Sequence, residues 1–273
     1  MYDLIEKFGK ESNKIEEEQK ELPIRMILFQ GPFFISDFNI RKIVNKIVKE
    51  SQKQNATLVM IRGPVLSQDF QPYLLIKERK SMNSIKKEFL KLIERSFEDK
   101  NEIKVIFVEN GEDPSCLSDY PLEVSTKMFS NTNQISTSSE EFSLSGMYFS
   151  FTGYDPMSLA WDFVKSNRHS CKGNLKKKML ISICDQKSRC PLTPSSSFID
   201  PRNTGRCHTF GKPLDLLIMC SRKYSSIEQC GSKMIMSTQP FVTRLGFREY
   251  SLLSISPSSS LLRIEIHTAE NDD

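Results

Sequence analysis

Any hydrolytic or metal chemistry would have to be assembled from three histidines, His169, His208 and His267, and from carboxylates in the loops that follow apolar strands. In an α/β domain ligands collect at the loops leaving one rim of the sheet. Those loops offer Gln30-Gly31-Pro32-Phe33 with Asp37 beyond it, then Gly63-Pro64 with Asp69. Glu109, Asp113, Ser115 and Asp119 come next, and Ser221 and Arg222 last. A two-metal hydrolase needs several His, Asp and Asn ligands converging on ions about 3.5–4 Å apart, because the metals clamp both the attacking and the leaving oxygen. No histidine stands beside these carboxylates, and none lies in an H-x-H, H-E-x-x-H or G-N-H context. Each is therefore read as a surface or structural histidine rather than a metal ligand. Cys207-His208 is no nucleophile and base either, since adjacent residues in extended chain point apart. No G-x-x-x-x-G-K-[ST] loop and no G-x-G-x-x-G fingerprint occurs, so nucleotide hydrolysis and dinucleotide binding have no motif. No catalytic residue, no metal ligand and no cofactor is expected.

The 273 residues suffice for one large α/β domain, and a hydrophobic fraction of 38 % with 18 Phe is far from a disordered composition. The 7 Cys form no CxxC pair and read as reduced, mostly buried thiols. No apolar run approaches the roughly 20 residues of a membrane span, so a soluble, intracellular protein without membrane contact is expected. The net charge of +4 is unevenly spread. Lys165, Arg168, Lys172, Lys176, Lys177, Lys178, Lys187 and Arg189 face a single acid, Asp185. A solvated helix face is the plainer reading of residues 165–189; weak phosphate contact with DNA is the functional one.

Residues 1–23 are acidic and helix-prone, with Glu16, Glu17 and Glu18 in a row, and read as an arm closed by Pro23. From Ile24 short apolar strands alternate with amphipathic helices. Strands are expected over Ile24–Phe29, Thr57–Ile61 and Ile103–Val108, the first two breaking at Gly31-Pro32 and Gly63-Pro64. Between them, Ser36 or Asp37 caps a helix whose Phe38, Ile40, Ile43, Val44, Ile47 and Val48 recur at helical spacing. Ser81 caps a second, which buries Ile85, Phe89, Leu92 and Ile93. Asn131–Ser145 lacks periodicity and reads as an exposed loop. A strand at Met147–Thr152 follows, then a helix opening at Asp155-Pro156 and another carrying Leu175, Met179, Leu180 and Ile183. Ser188–Lys212, with Pro191, Pro194 and Pro201, is a long irregular segment of the kind that binds partners. Strands at Leu214–Cys220, Lys233–Ser237, Glu249–Ser256 and Leu261–His267 complete the chain. In the last, Leu262, Ile264 and Ile266 alternate with Arg263, Glu265 and His267, the mark of an edge strand with one wet face.

Several blocks, in order, resemble the B-type accessory subunits of the replicative DNA polymerases. Ile27-Leu28-Phe29-Gln30-Gly31-Pro32-Phe33 with Ser36-Asp37 is similar to that family's first strand and turn. Leu58-Val59-Met60-Ile61-Arg62-Gly63-Pro64-Val65-Leu66 with Asp69 looks like its second. Ile106–Leu122, with Pro114-Ser115 and Asp119-Tyr120-Pro121, is similar to a further block. Gln186 followed by Cys190-Pro191-Leu192-Thr193-Pro194 resembles a stretch that distinguishes the alpha subunit. Pro213–Ser221 and Ile235–Thr243 occupy the places of the last two blocks, the latter without the family's glycine and arginine.

The resemblance implies an α/β fold: a calcineurin-like phosphoesterase sandwich of two mixed β-sheets flanked by helices, with the metal site lost. Where an active relative carries D-x-H, G-D-x-x-D, G-N-H and G-H-x-H, this chain has Gln30-Gly31-Pro32, Gly63-Pro64 and Asp113-Pro114-Ser115. Residues 24–273 form the phosphoesterase-like domain, and residues 1–23 are too few for the oligonucleotide-binding (OB) barrel of the family. The implied role is a non-catalytic accessory subunit of DNA polymerase alpha–primase in the nucleus. Its partners are the C-terminal domain of the catalytic subunit and the primase subunits, and its process is the initiation of replication. A B subunit of polymerase delta or epsilon, and an active metal-dependent phosphodiesterase, are the alternatives.

Overall fold

The computed structural model describes residues 23–34, 39–67, 81–110, 113, 126–128, 134–137, 141–152, 178, 181, 214–221, 225–256 and 261–270. They divide into two compact units. One holds the described residues of 23–118, 122–139 and 240–273, and the other those of 140–239.

The first unit opens with β1 (Ile24–Gln30), α1 (Ile40–Lys53), β2 (Leu58–Arg62), α2 (Met82–Phe97) and β3 (Lys104–Val108), the expected β–loop–α repeat. Three strands run parallel and in register, with Gln30 beside Arg62 and Arg62 beside Val108. Helix α1 is capped by Asn39, whose Oδ1 accepts from the Arg41 N–H at 2.9 Å, not by Ser36 or Asp37. Asn39 is itself a good capping residue and stands one place before the first helical residue, so the periodic stripe overran the true start. Ser81 caps α2 as expected, its hydroxyl accepting from the Ser84 N–H at 3.1 Å. Ile43, Val44 and Ile47 of α1 and Ile85, Phe89, Ile93 and Phe97 of α2 join Ile27, Phe29, Val59, Ile61, Val105 and Phe107 in one core. Leu92, expected inside, is only partly buried. Met26, Leu28, Leu58 and Met60, on the opposite face of the same strands, are buried as well, which explains strands that read as unbroken apolar runs.

Asn131–Ser145 is not a loop throughout. It contains β5 (Gln134–Thr137), which follows β4 (Thr126–Met128), and β6 (Glu141–Leu144), which pairs with β7 (Met147–Phe151) in a tight hairpin. Ser145 and Gly146 turn the hairpin with φ of 50° and 76°, the left-handed pair a two-residue turn needs. Strands of four residues leave too little alternation to show against a Ser/Thr background. Phe142, which stacks on Phe149 with ring centroids 4.9 Å apart, is the one buried residue of β6.

The second unit continues with β8 (Leu216–Cys220), β9 (Ser226–Cys230) and β10 (Lys233–Thr238), giving a five-stranded sheet of order β6-β7-β8-β10-β9. β9 was not legible, since its Ser-Ile-Glu-Gln-Cys carries one aliphatic residue. A short pair, β11 (Val242–Thr243) and β12 (Gly246–Phe247), leads to β13 (Glu249–Ser256) and β14 (Leu261–Thr268) in the first unit. They complete a seven-stranded sheet of order β14-β13-β1-β2-β3-β5-β4, in which β14 is an edge strand, as its alternation predicts. Both large sheets are mixed, as expected. No helix among the described residues is long and apolar enough to cross a membrane.

Candidate functional site

The rim at which a catalytic site was sought lies at the carboxyl ends of β1, β2 and β3. Gln30 and Arg62 are the last residues of the first two strands, and both stand immediately before Gly-Pro. Their side chains meet: the Arg62 guanidinium donates to Gln30 Oε1 at 3.1 Å. The Gln30 amide in turn donates to the Gly63 carbonyl at 2.7 Å, and the Asn110 amide donates to the same oxygen at 3.2 Å. Asp113 Oδ2 accepts from the Val65 N–H at 2.8 Å. Gln30, Arg62, Asn110 and Asp113 are each no more than 2 % exposed, so these bonds form where water does not compete.

The backbone tightens the same rim. The Gly31 N–H donates to the Arg62 carbonyl at 2.8 Å, and the Gly63 N–H to that of Val108 at 2.9 Å. The Phe33 and Phe34 N–H groups both donate to the Val65 carbonyl at 3.0 Å. Both Gly-Pro peptides are cis. A Cβ on Gly31 would lie 1.9 Å from the Pro64 carbonyl oxygen, so only glycine permits the two turns to approach this closely. On the far side, the Phe241 N–H donates to the Gln30 carbonyl at 2.7 Å and its ring meets Phe29 edge-on at 4.8 Å.

Of the residues singled out from sequence, Asp113 is thus a structural acceptor holding the second turn to the third. Glu109 is paired with Lys86, Nζ to Oε1 3.3 Å. Asp37, Asp69, Ser115, Asp119 and Arg222 lie outside the described residues, as do His169, His208, the helix opening at Asp155 and Ser188–Lys212; of the helix carrying Leu175, only Lys178 and Ile181 are described, and both are helical. Of the basic side chains in residues 165–189 only Lys178 is described, and it is exposed. His267 sits on β14 with Nε2 3.2 Å from Glu265 Oε2 and its ring stacked 5.5 Å from Tyr250. Its hydrogen bond, more than the neighbouring charges, holds the Glu265 carboxyl below the usual range.

Gln30 was expected in the first rim loop, but Arg62 and Asn110 were not foreseen as its partners. The signal was present: a polar residue closing an otherwise apolar buried strand directly before Gly-Pro, twice, in register. These residues do not fit a two-metal centre. The position offers a buried guanidinium, which repels a divalent cation. The Gln30 side-chain oxygen, its ligating atom, already accepts from that guanidinium, and one oxygen of Asp113 already accepts from a backbone amide. No group of three or more His, Cys, Asp or Glu side chains comes together among the described residues. What the arrangement does is lock three loops to one another.

No protein-family model matches the chain, and no curated protein matches it. Among solved structures it is similar to a novel archaeal phosphodiesterase, at 11 % identity over 89 % of this chain and 100 % of that one, with a TM-score of 0.38. A predicted phosphoesterase from Streptococcus pneumoniae TIGR4 aligns at 8 % identity over 91 % of each chain, with a TM-score of 0.36. A single mutant of Vps29 from Entamoeba histolytica aligns at 8 % identity over 90 % of this chain and 99 % of its own, with a TM-score of 0.32. Likenesses of this degree assign neither activity nor partner.

Proposed function

We propose that this chain is a non-catalytic accessory subunit built on a phosphoesterase-type fold, and that it serves DNA polymerase alpha–primase by docking on the C-terminal domain of the catalytic subunit. One observation carries the non-catalytic part: a buried Arg62–Gln30–Gly63–Asn110 network fills the strand rim where hydrolytic ligands would stand. A rim knitted into a rigid floor suits a protein whose task is to present surface to a partner. The choice of partner rests on the ordered blocks from Ile27 to Thr243, of which Gln186–Pro194 favours the alpha complex over delta and epsilon. A nuclear setting follows from that choice.

The test is co-expression of the full chain with the C-terminal domain of the catalytic polymerase alpha subunit, followed by size-exclusion chromatography. A single peak of 1:1 stoichiometry is the expected result. Separate peaks overturn the partner assignment. Manganese-dependent hydrolysis of a phosphodiester by the purified chain overturns the non-catalytic reading.

A further inference from the structure

Strand β14 closes one side of the seven-stranded sheet, and among the described residues nothing pairs with its outer side. Its pairing with β13 fixes which backbone groups are left over. The Ala269 N–H donates to the Arg248 carbonyl, one step beyond the Glu249–Thr268 pair. Hydrogen-bonded pairs alternate along an antiparallel ladder, so His267, Glu265, Arg263 and Leu261 also turn their N–H and C=O groups toward β13. Those of Leu262, Ile264 and Ile266 point to the open edge.

One device that blunts an open edge is a set of charges, Lys above all, which keep a second strand away. The charges here do not follow that pattern. Arg263 and Glu265, two residues apart on one face, form an ion pair along the strand, with side chains 74 % and 34 % exposed. An antiparallel copy of the strand related by a two-fold axis at Ile264 sets residue i opposite residue 528 − i. Arg263 then faces Glu265 of the second copy, and the reverse. The exposed Leu261 faces the second copy's His267, while Leu262 faces its Ile266 and Ile264 faces its own equivalent.

The hydrogen-bond phase agrees with this register. Leu262, Ile264 and Ile266, whose groups point outward, occupy the hydrogen-bonded pairs. Arg263 and Glu265 fall in the non-hydrogen-bonded pairs, where Cα atoms approach to about 4.5 Å and cross-strand ion pairs are closest. Any axis centred on a residue of the strand keeps the outward groups opposite one another, and the axis at Ile264 is the one that also sets Arg263 against Glu265, whereas an axis at Arg263 or Glu265 sets that charge against itself.

We propose that β14 is a self-recognition edge, through which two copies of this chain join their seven-stranded sheets by antiparallel β14–β14 pairing centred on Ile264. The pairing is independent of the polymerase assignment, because it uses only this chain.

Sedimentation equilibrium of the full chain is expected to show a concentration-dependent monomer–dimer equilibrium. Arg263→Glu places two pairs of carboxylates face to face and is expected to weaken the dimer by about tenfold or more, as is Glu265→Arg with like-charged guanidinium groups. The double variant Arg263→Glu/Glu265→Arg restores opposite charges across the axis and is expected to return the dissociation constant to within about threefold of the wild type. Hydrogen exchange supplies a readout that needs no variant. Protection of the Leu262, Ile264 and Ile266 amides should rise with protein concentration, while that of Arg263 and Glu265 stays fixed. A chain that remains monomeric, a double variant no better than the singles, or edge amides protected only when a polymerase domain is added each overturn the proposal.

Discussion

Gln30 and Arg62 stand side by side on neighbouring parallel strands and join through a 3.1 Å hydrogen bond, the Arg62 guanidinium donating to Gln30 Oε1. The bond is buried and its members depend on each other. Arg62→Leu leaves a buried amide oxygen without that donor and should cost about 1–3 kcal/mol, while Gln30→Leu strips a buried cation of an acceptor and should cost about 3 kcal/mol or more. Replacing both by Leu should cost less than the sum of the two, by roughly 0.5–3 kcal/mol. Urea unfolding of the four proteins checks this, and simple additivity would mean that the two side chains act separately.

Gly31 makes a sharper prediction. Its added Cβ would meet the Pro64 carbonyl oxygen at 1.9 Å, and the obstacle is backbone rather than a flexible side chain. Gly31→Ala should therefore cost about 3 kcal/mol or more, since the two turns must separate and give up the bonds from Gly31 and Phe33 across the rim. Gly146→Ala is the control: φ is +76° but nothing lies within 4 Å of the new methyl, so about 1 kcal/mol of backbone strain is all that is expected. Equal losses in thermal melts of the two variants would show that the close approach is not what Gly31 provides.

In the first unit the helices and β1, β2, β3 and β13 were legible because each carries enough apolar residues to show its period or run: Ile43, Val44 and Ile47 in α1, or the unbroken Leu-Val-Met-Ile of β2. The edge position of β14 was legible for the same reason. β5, β6 and β9 were not, because four or five mostly polar residues display neither an apolar run nor an alternation; β6 and β9 are held by their hairpin partners β7 and β10. The rim was half legible. Gly-Pro after a strand marked the place, and Asp113 was noticed as a carboxylate. That Gln30 and Arg62 would bond to each other depends on parallel register, which no local pattern of residues states.

Tyr250 offers a pH signature. It is 3 % exposed, its hydroxyl donates to Glu50 Oε2 at 2.9 Å and accepts from the Gln54 amide at 2.9 Å. Burial above all pushes its pKa from 10.0 up to about 12, with Glu50 adding to the rise. Between those values the unfolded chain has released a proton that the folded chain keeps. Stability from this group is therefore complete below pH 10 and is lost as pH climbs toward 12. Tyr250→Phe should be less stable by about 1–3 kcal/mol at neutral pH, because Glu50 and Gln54 lose their partner. Its deficit should shrink across the window, as only the wild type suffers the loss. Thermal melts of both proteins across the window decide it; a constant gap would mean that Tyr250 ionises as it does in water.

Divalent metal gives the last test of the rim. A ligand that binds only the folded state stabilises it by RT ln(1 + [L]/Kd), about 2.7 kcal/mol when the ligand is at a hundred times its dissociation constant. A functioning two-metal centre would meet that condition in millimolar manganese and raise the melting temperature by several degrees. With the Arg62 guanidinium buried at the rim and bonded to the Gln30 side-chain oxygen, and with one Asp113 oxygen held by a backbone amide, no such rise is expected. Arg62→Leu should not create one either, since removing the cation supplies no ligand. Melting curves with manganese and with a chelator settle the matter: coincident curves agree with a rim that only holds loops together, and a manganese-dependent rise in the wild type would return hydrolysis to the front.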